Sequence, residues 1–167
     1  MERVNFPPRR SGDGDFFADL MVVREAQSMN ALGQPLPGKV CHRAIADIEV
    51  EQGNHAVRRG GRPVAAEPGP ITIFHYPMRS YRQFTNKIVK GGSAYERNPD
   101  PHIGATWRHL YEVWKTGGLE PFYRSAIVDD AAIEEGLKNG RLVREERLKD
   151  FFSGLRARPR RAVGCGR

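Results

Sequence analysis

The chain has 167 residues, enough for one domain with a hydrophobic core but small for two. Its 27 Lys and Arg exceed its 20 Asp and Glu, and the formal net charge of +7 favours anionic partners. No run approaches the ~20 apolar residues that span a bilayer, and the N-terminus has no apolar core typical of a signal peptide. Cys41 and Cys165 lack the spacing of zinc or redox motifs. We therefore expect a cytoplasmic protein with free thiols.

The N-terminal region contains turn formers followed by an amphipathic stretch. Residues 1–14 predict an irregular lead-in, and apolar residues at helical spacing predict a first helix over 16–29. Asp13 and Asp15 form an Asp-x-Asp pattern, but the flexible residues before them do not form the buried strand that a rigid metal site needs. We therefore interpret Asp15 as the cap of the helix.

The middle of the chain predicts short strands. Candidates over 39–44, 47–50 and 56–58 are joined by turns, and we expect them to flank a further strand over 71–74. Pro77 ends that strand.

Beyond residue 80 the pattern is helical. Ser80 and Gln83 have the spacing of a capping box, and the helix that follows is expected to end at Gly91-Gly92. Apolar stripes over 107–114 and 148–155 predict two more helices.

The last part of the chain adds one further helix and a tail. Capping and charge predict a helix from Asp129 to Lys138. Residues 156–167 contain five arginines and no acid, and they predict a basic, disordered tail.

The most informative stretch runs from Ile71 to Lys87, where a strand, a turn and a cationic helix start follow one another. His75 is predicted at the mouth of the strand, and Arg79 lies beside the helix N-terminus. Because unpaired N–H groups and the positive end of the helix dipole attract phosphate oxygens, the stretch predicts an anion or metal-diphosphate site.

These residues also resemble a known family. Residues 39–98 resemble the C-terminal part of bacterial glycosyltransferase family 2 proteins, in a subgroup that carries a GNH element and a HYPMRS element. They stand here as Gly53-Asn54-His55 and as His75 to Ser80, followed by Gln83, Phe84 and Lys87. The match is strongest over 39–125 and looser elsewhere, and residues 1–155 would form the C-terminal part of the domain.

The resemblance implies a GT-A-like α/β fold, in which short strands are followed by helices. The family transfers a sugar from a nucleotide-sugar donor to an acceptor hydroxyl on a glycan or another molecule, with a divalent cation, Mg²⁺ or Mn²⁺, at the diphosphate. By this resemblance His75 would contact the metal. The residues assigned to substrate binding are Arg79, Ser80 and Lys87 at the diphosphate and Asn54 and His55 toward the acceptor.

A complete GT-A domain is longer than this chain, and we expect the nucleotide-binding half to be missing. The isolated fragment is then expected to be inactive, because phosphate neutralisation alone does not orient the reacting groups. Sugar transfer with inversion also needs a carboxylate base, for which Asp15, Asp19 and Glu25 remain open.

Simpler interpretations compete with these. A histidine at a strand end is often structural, Lys87 could be a solvated lysine, and Asn54 suits a turn for backbone reasons. The alternative functions are a small basic module that binds nucleic acid or another polyanion through the tail and the arginines at 58, 59 and 62, and an inactive remnant. No nucleic-acid-binding motif supports the first of these.

Overall fold

The computed structural model of the chain describes residues 1–12 and 14–157. The fold is mixed α/β, as expected, with three small sheets. The strands are β1 (Glu2–Asn5), β2 (Val23–Glu25), β3 (Ile48–Val50), β4 (Val57–Arg59), β5 (Arg62–Pro63), β6 (Thr72–His75) and β7 (Leu142–Arg144). The helices are α1 (Phe17–Leu20), α2 (Tyr81–Glu96), α3 (Ala105–Lys115), α4 (Leu119–Ala126), α5 (Asp130–Lys138) and α6 (Arg147–Ala157).

The sheet that matters most for the site pairs the N-terminal strand with the strand that precedes α2. Strand β1 runs parallel to β6, with Asn5 opposite His75 in the register. The expected irregular lead-in is therefore wrong for residues 2–5. The physical reason is burial, because Val4 and Phe6 pack in a core cluster with Met21, against Phe74 and Tyr76.

The predicted helix over 16–29 is wrong beyond its first turn. Only Phe17–Leu20 is helical, and the chain then extends into β2, which pairs antiparallel with β7. Asp15 does not cap the helix, since its carboxylate accepts a hydrogen bond from the backbone N–H of Gly12 and Phe16 stands at the cap position. Asp13 lies outside the described residues.

Strands β3, β4 and β5 form an antiparallel meander of their own. The strands expected over 47–50 and 56–58 are confirmed within a residue, whereas residues 39–44 form no strand. The meander does not flank β6, because the neighbour of β6 is β1.

Helix α2 begins where the capping box predicts, but it does not end at Gly91-Gly92. Ser80 accepts a hydrogen bond from the backbone N–H of Gln83, and the helix continues to Glu96. A Cβ atom at Gly91 would overlap the Trp107 ring, and one at Gly92 would overlap Tyr111. The two glycines therefore allow α2 and α3 to pack closely, and they do not end the helix.

The larger core cluster joins α2, α3 and α4. Its buried members are Phe84, Ile88, Leu110, Leu119 and Tyr123. The aromatic stripe over 107–114 lies in α3, as predicted, and packs against this cluster, whereas α4 was not predicted.

The C-terminal helices follow the sequence closely. Helix α5 has the expected bounds, with Asp129 as its N-cap. Helix α6 extends to Ala157, so the first two residues of the predicted tail are helical, and Arg156 forms an ion pair with Asp19. Residues 158–167 lie outside the described residues.

Among the described residues, no helix combines the length and the apolar character that crossing a membrane requires.

Candidate functional site

A cleft of about 1300 Å³ opens between β1, β6, α2 and the start of α3. The titratable side chains that line it are Arg3, Glu25, Lys39, His55, His75, Lys87, Tyr95 and Arg141. Cations outnumber carboxylates in this lining, since Glu25 is its single acid. The cleft is therefore suited to anionic ligands.

His75 lies at the end of β6 and contacts Asn5 on the neighbouring strand. Its Nδ1 is 2.6 Å from the Oδ1 of Asn5. Burial, together with the positive charges of Lys87, Arg3 and Lys39, lowers the pKa of His75 to about 4. The imidazole is therefore neutral at pH 7.

Asn5, the partner of His75 in this contact, is a buried polar residue with 6% of its surface exposed. Its amide Nδ2 donates to the Oε2 of Glu25 at 3.2 Å and to the carbonyl of Met29 at 2.7 Å. Its backbone N–H donates to the hydroxyl of Ser28. Asn5 thus joins the β1–β6 sheet to the segment that follows β2.

Lys87 and Arg3 are cations without a carboxylate partner among the described residues. Burial lowers the pKa of Lys87, as do the charges of Arg3 and Arg79. Its Nζ lies 5.4 Å from the centre of the Trp107 ring, over its face. Burial also lowers the pKa of Arg3, whose Nε is buried and has no hydrogen-bond partner. Such unpaired cations are costly unless an anion neutralises them.

Lys39 and His55 also line the cleft and contact each other. The Nζ of Lys39 donates to the carbonyl of Gly53 and lies 3.5 Å from the Nε2 of His55. The Nδ1 of His55 donates to the carbonyl of Gly38 at 2.6 Å. Burial, followed by the charge of Arg3, lowers the pKa of Lys39.

Asn54 has a backbone role in this region. It has a positive φ of 59°, and its side chain donates to the carbonyl of Val40 at 3.0 Å. It does not line the cleft, whereas the neighbouring His55 does.

Arg79 and Ser80 also lie outside the lining of the cleft. The guanidinium of Arg79 stacks over the Phe17 ring at 5.1 Å, and the hydroxyl of Ser80 is occupied by its capping bond. The sequence predicted a single site around the start of α2. The structure instead brings His55, His75 and Lys87 into one cleft and leaves Arg79 and Ser80 at its outside.

The structure distinguishes between the three carboxylates that the sequence left open as the catalytic base. Asp19 is paired with Arg156, which lowers the pKa of Asp19, and Asp15 binds a backbone N–H. Glu25 alone lines the cleft, and burial raises its pKa.

The fit of a divalent cation is incomplete. Among residues 1–12 and 14–157, no group of three or more His, Cys, Asp or Glu side chains could hold a metal ion. His75 offers one nitrogen, whereas Mg²⁺ and Mn²⁺ prefer several oxygen ligands.

Sequence reasoning missed Arg3 and Asn5 altogether and gave Lys39 no role. A signal for β1 existed, since Val4 and Phe6 alternate with polar residues at the period of a strand. The prolines and arginines directly after Phe6 favoured the interpretation as an irregular segment instead.

Comparisons with models of protein families, with curated proteins and with solved structures find no match to this chain.

Proposed function

We propose that this chain carries the diphosphate-binding part of a GT-A-like glycosyltransferase of the family 2 type, which transfers a sugar from a nucleotide-sugar donor to an acceptor hydroxyl. One observation supports this most directly: Arg3 and Lys87, two cations with no carboxylate partner among the described residues, line the same cleft as His75. Two of these three residues belong to the family-like sequence motif. The third, Arg3, comes from outside the firmly matching region.

The chemistry of the transfer asks for positive charge at the leaving group. When the bond between sugar and diphosphate breaks, negative charge develops on the phosphate oxygens. Cations that are already in place in a partly buried cleft stabilise that charge without reorganising. Lys87 and Arg3 are suited to this role, and Lys39 adds a further positive charge to the same cleft.

The acceptor hydroxyl must lose a proton during the transfer. Glu25 is the carboxylate of the cleft, and its raised pKa makes it a stronger base than a solvated glutamate. We assign it the role of proton acceptor within this proposal.

Calorimetric titration of the chain with UDP and with inorganic pyrophosphate tests the proposal. We expect both probes to bind, and we expect Lys87→Met to weaken binding about 10- to 100-fold, because hydrogen bonds to charged groups contribute about 1.5–3 kcal/mol. Arg3→Met should have a similar effect.

Lys90→Met is the matched control. Lys90 lies on the same helix α2, one turn further along, and its side chain is exposed. The Lys90→Met substitution removes one positive charge from the molecule, as Lys87→Met does, but leaves the charge of the cleft unchanged. Binding of both probes should therefore stay within about twofold of the unaltered chain. Equal losses in both lysine variants, or no binding of either probe by the unaltered chain, would rule the diphosphate site out.

A further inference from the structure

The hydrogen bonds around Asn5 determine which way its amide points. Nδ2 lies near two acceptors, the carboxylate of Glu25 and the carbonyl of Met29. Neither of these groups can donate a hydrogen bond when Glu25 is ionised, so the NH₂ group must face them. The carbonyl Oδ1 of Asn5 therefore points to His75.

The orientation of Asn5 in turn determines the tautomer of His75. An amide oxygen only accepts hydrogen bonds, so at 2.6 Å the Nδ1 of His75 must carry the hydrogen. A neutral imidazole has only one N–H, and Arg3, Lys39 and Lys87 in the lining of the same cleft disfavour a further positive charge on this ring. Nε2 is then left with a lone pair, and it has no hydrogen-bond partner among the described residues.

We infer that Asn5 is a positioning residue that holds His75 with its ring hydrogen on Nδ1, so that Nε2 accepts a hydrogen bond from a hydroxyl group of the bound ligand. The cleft then has two chemically different parts. Arg3 and Lys87 attract phosphate oxygens, while Nε2 of His75 and the carboxylate of Glu25 attract hydroxyl hydrogens.

A ligand that satisfies both parts carries phosphate and hydroxyl groups on one molecule, as a sugar phosphate does. This ligand class rests on the proposed function, whereas the tautomer of His75 depends only on the contacts of Asn5. The two can therefore fail separately.

The tautomer can be read directly by NMR of the chain labelled with ¹⁵N in its histidines. Two-bond and three-bond correlations distinguish a protonated from an unprotonated ring nitrogen at neutral pH. We expect His75 to show the hydrogen on Nδ1. A hydrogen on Nε2 in the unaltered chain would overturn the inference without the need for any variant.

Three variants test whether Asn5 is responsible. Asn5→Leu removes the acceptor, and we expect the His75 signals to change to the other tautomer or to an average of both. Asn30→Ala is the matched control, because Asn30 lines the same cleft but bonds to Gln34. If Asn5→Leu does not fold, Ser28→Ala removes one anchor of β1 and leaves the amide contact intact, so the Nδ1 tautomer should persist. If His75 lost the Nδ1 tautomer in Ser28→Ala or in Asn30→Ala, the side chain of Asn5 would not be what determines that tautomer.

The hydroxyl contact is tested by titrating the same labelled chain with glucose 1-phosphate and with inorganic phosphate. We expect a saturable shift of the Nε2 resonance with glucose 1-phosphate that is at least threefold larger than the shift with phosphate. Equal shifts, or no shift with either probe, would reject the hydroxyl contact. A failure of the whole diphosphate proposal would instead appear in the pyrophosphate titration of the Lys87 variant.

Discussion

His75 combines burial, a fixed hydrogen bond and a positive surrounding in one side chain. The ring stays neutral because burial disfavours its charged form and because protonation would add a positive charge beside Lys87, Arg3 and Lys39. This cost falls on the folded state only, so it links His75 to stability.

The linkage predicts a pH-dependent stability. The pKa of His75 lies near 4 in the folded state and near 6.5 when unfolded. Between these values the unfolded chain takes up a proton that the folded chain does not, so the contribution of His75 is complete above pH 6.5 and is lost as the pH falls toward 4. We expect a loss of about 1–2 kcal/mol, after a discount for solvent screening of the part-exposed ring.

Urea unfolding of the unaltered chain and of His75→Gln at several pH values measures this effect. The difference between the two free energies of unfolding should shrink as the pH is lowered. His102→Gln controls for the loss of an exposed imidazole. A difference that does not change between pH 7 and pH 4 would contradict the prediction.

Ser80 shows how a residue of the family-like motif can have a structural explanation. Its hydroxyl accepts the backbone N–H of Gln83 at 3.2 Å and so caps α2. Ser80→Ala should lower the free energy of unfolding by about 1 kcal/mol, the usual contribution of a cap. The same variant should bind pyrophosphate as the unaltered chain does, and a tenfold weaker affinity with unchanged stability would instead place Ser80 in the binding site.

At the scale of elements, the contact of α2 with α3 depends on a pair of glycines. In an isolated helix Gly91→Ala would be favourable by about 1 kcal/mol, because glycine is a poor helix former. Here the added Cβ would overlap the ring of Trp107. The steric cost of overpacking, about 1–3 kcal/mol, is the larger effect.

We therefore expect Gly91→Ala to lower the melting temperature, although alanine is the better helix former. Gly154→Ala in α6 is the matched control, since a Cβ at that position meets no atom within 4 Å. It should be neutral or stabilising by up to about 1 kcal/mol. Differential scanning calorimetry of both variants measures the contrast, and stabilisation by Gly91→Ala would show that the helices are not so closely packed.

At the scale of the whole molecule, the packing of Phe6 joins the N-terminal strand to the site strand. Its side chain is fully buried, and its ring lies 4.4 Å from that of Tyr76 and 5.2 Å from that of Phe74. Its backbone N–H also donates to the carbonyl of His75 at 3.0 Å. One residue thus supports both the β1–β6 pairing and the position of His75.

Phe6→Ala should lower the free energy of unfolding by about 3–5 kcal/mol, the range for a large buried aromatic. Phe151→Ala provides the comparison, because Phe151 is 59% exposed on α6 and its loss should change stability by no more than about 0.5 kcal/mol. Chemical denaturation measures both. Similar losses in the two variants would show that Phe6 does not occupy a core position.

Several elements could be predicted from the sequence because their causes are local. Helices α3 and α5 follow from apolar spacing and from the cap at Asp129, and β6 follows from a short apolar run. The start of α2 follows from Ser80 and Gln83, which contact each other within one turn. The errors at Gly91-Gly92 and at residues 16–29 arise because contacts with distant residues override the local preference.

The candidate site divides in the same way. From the sequence by itself, the family-like motif already predicted that His75 and Lys87 belong to one site, and both line the cleft. Only the tertiary structure decided that Arg3, Asn5 and Glu25 join them. The physical reason is that local patterns act between residues a few positions apart, whereas the contact of Asn5 with His75 spans 70 positions and exists only because β1 and β6 pair.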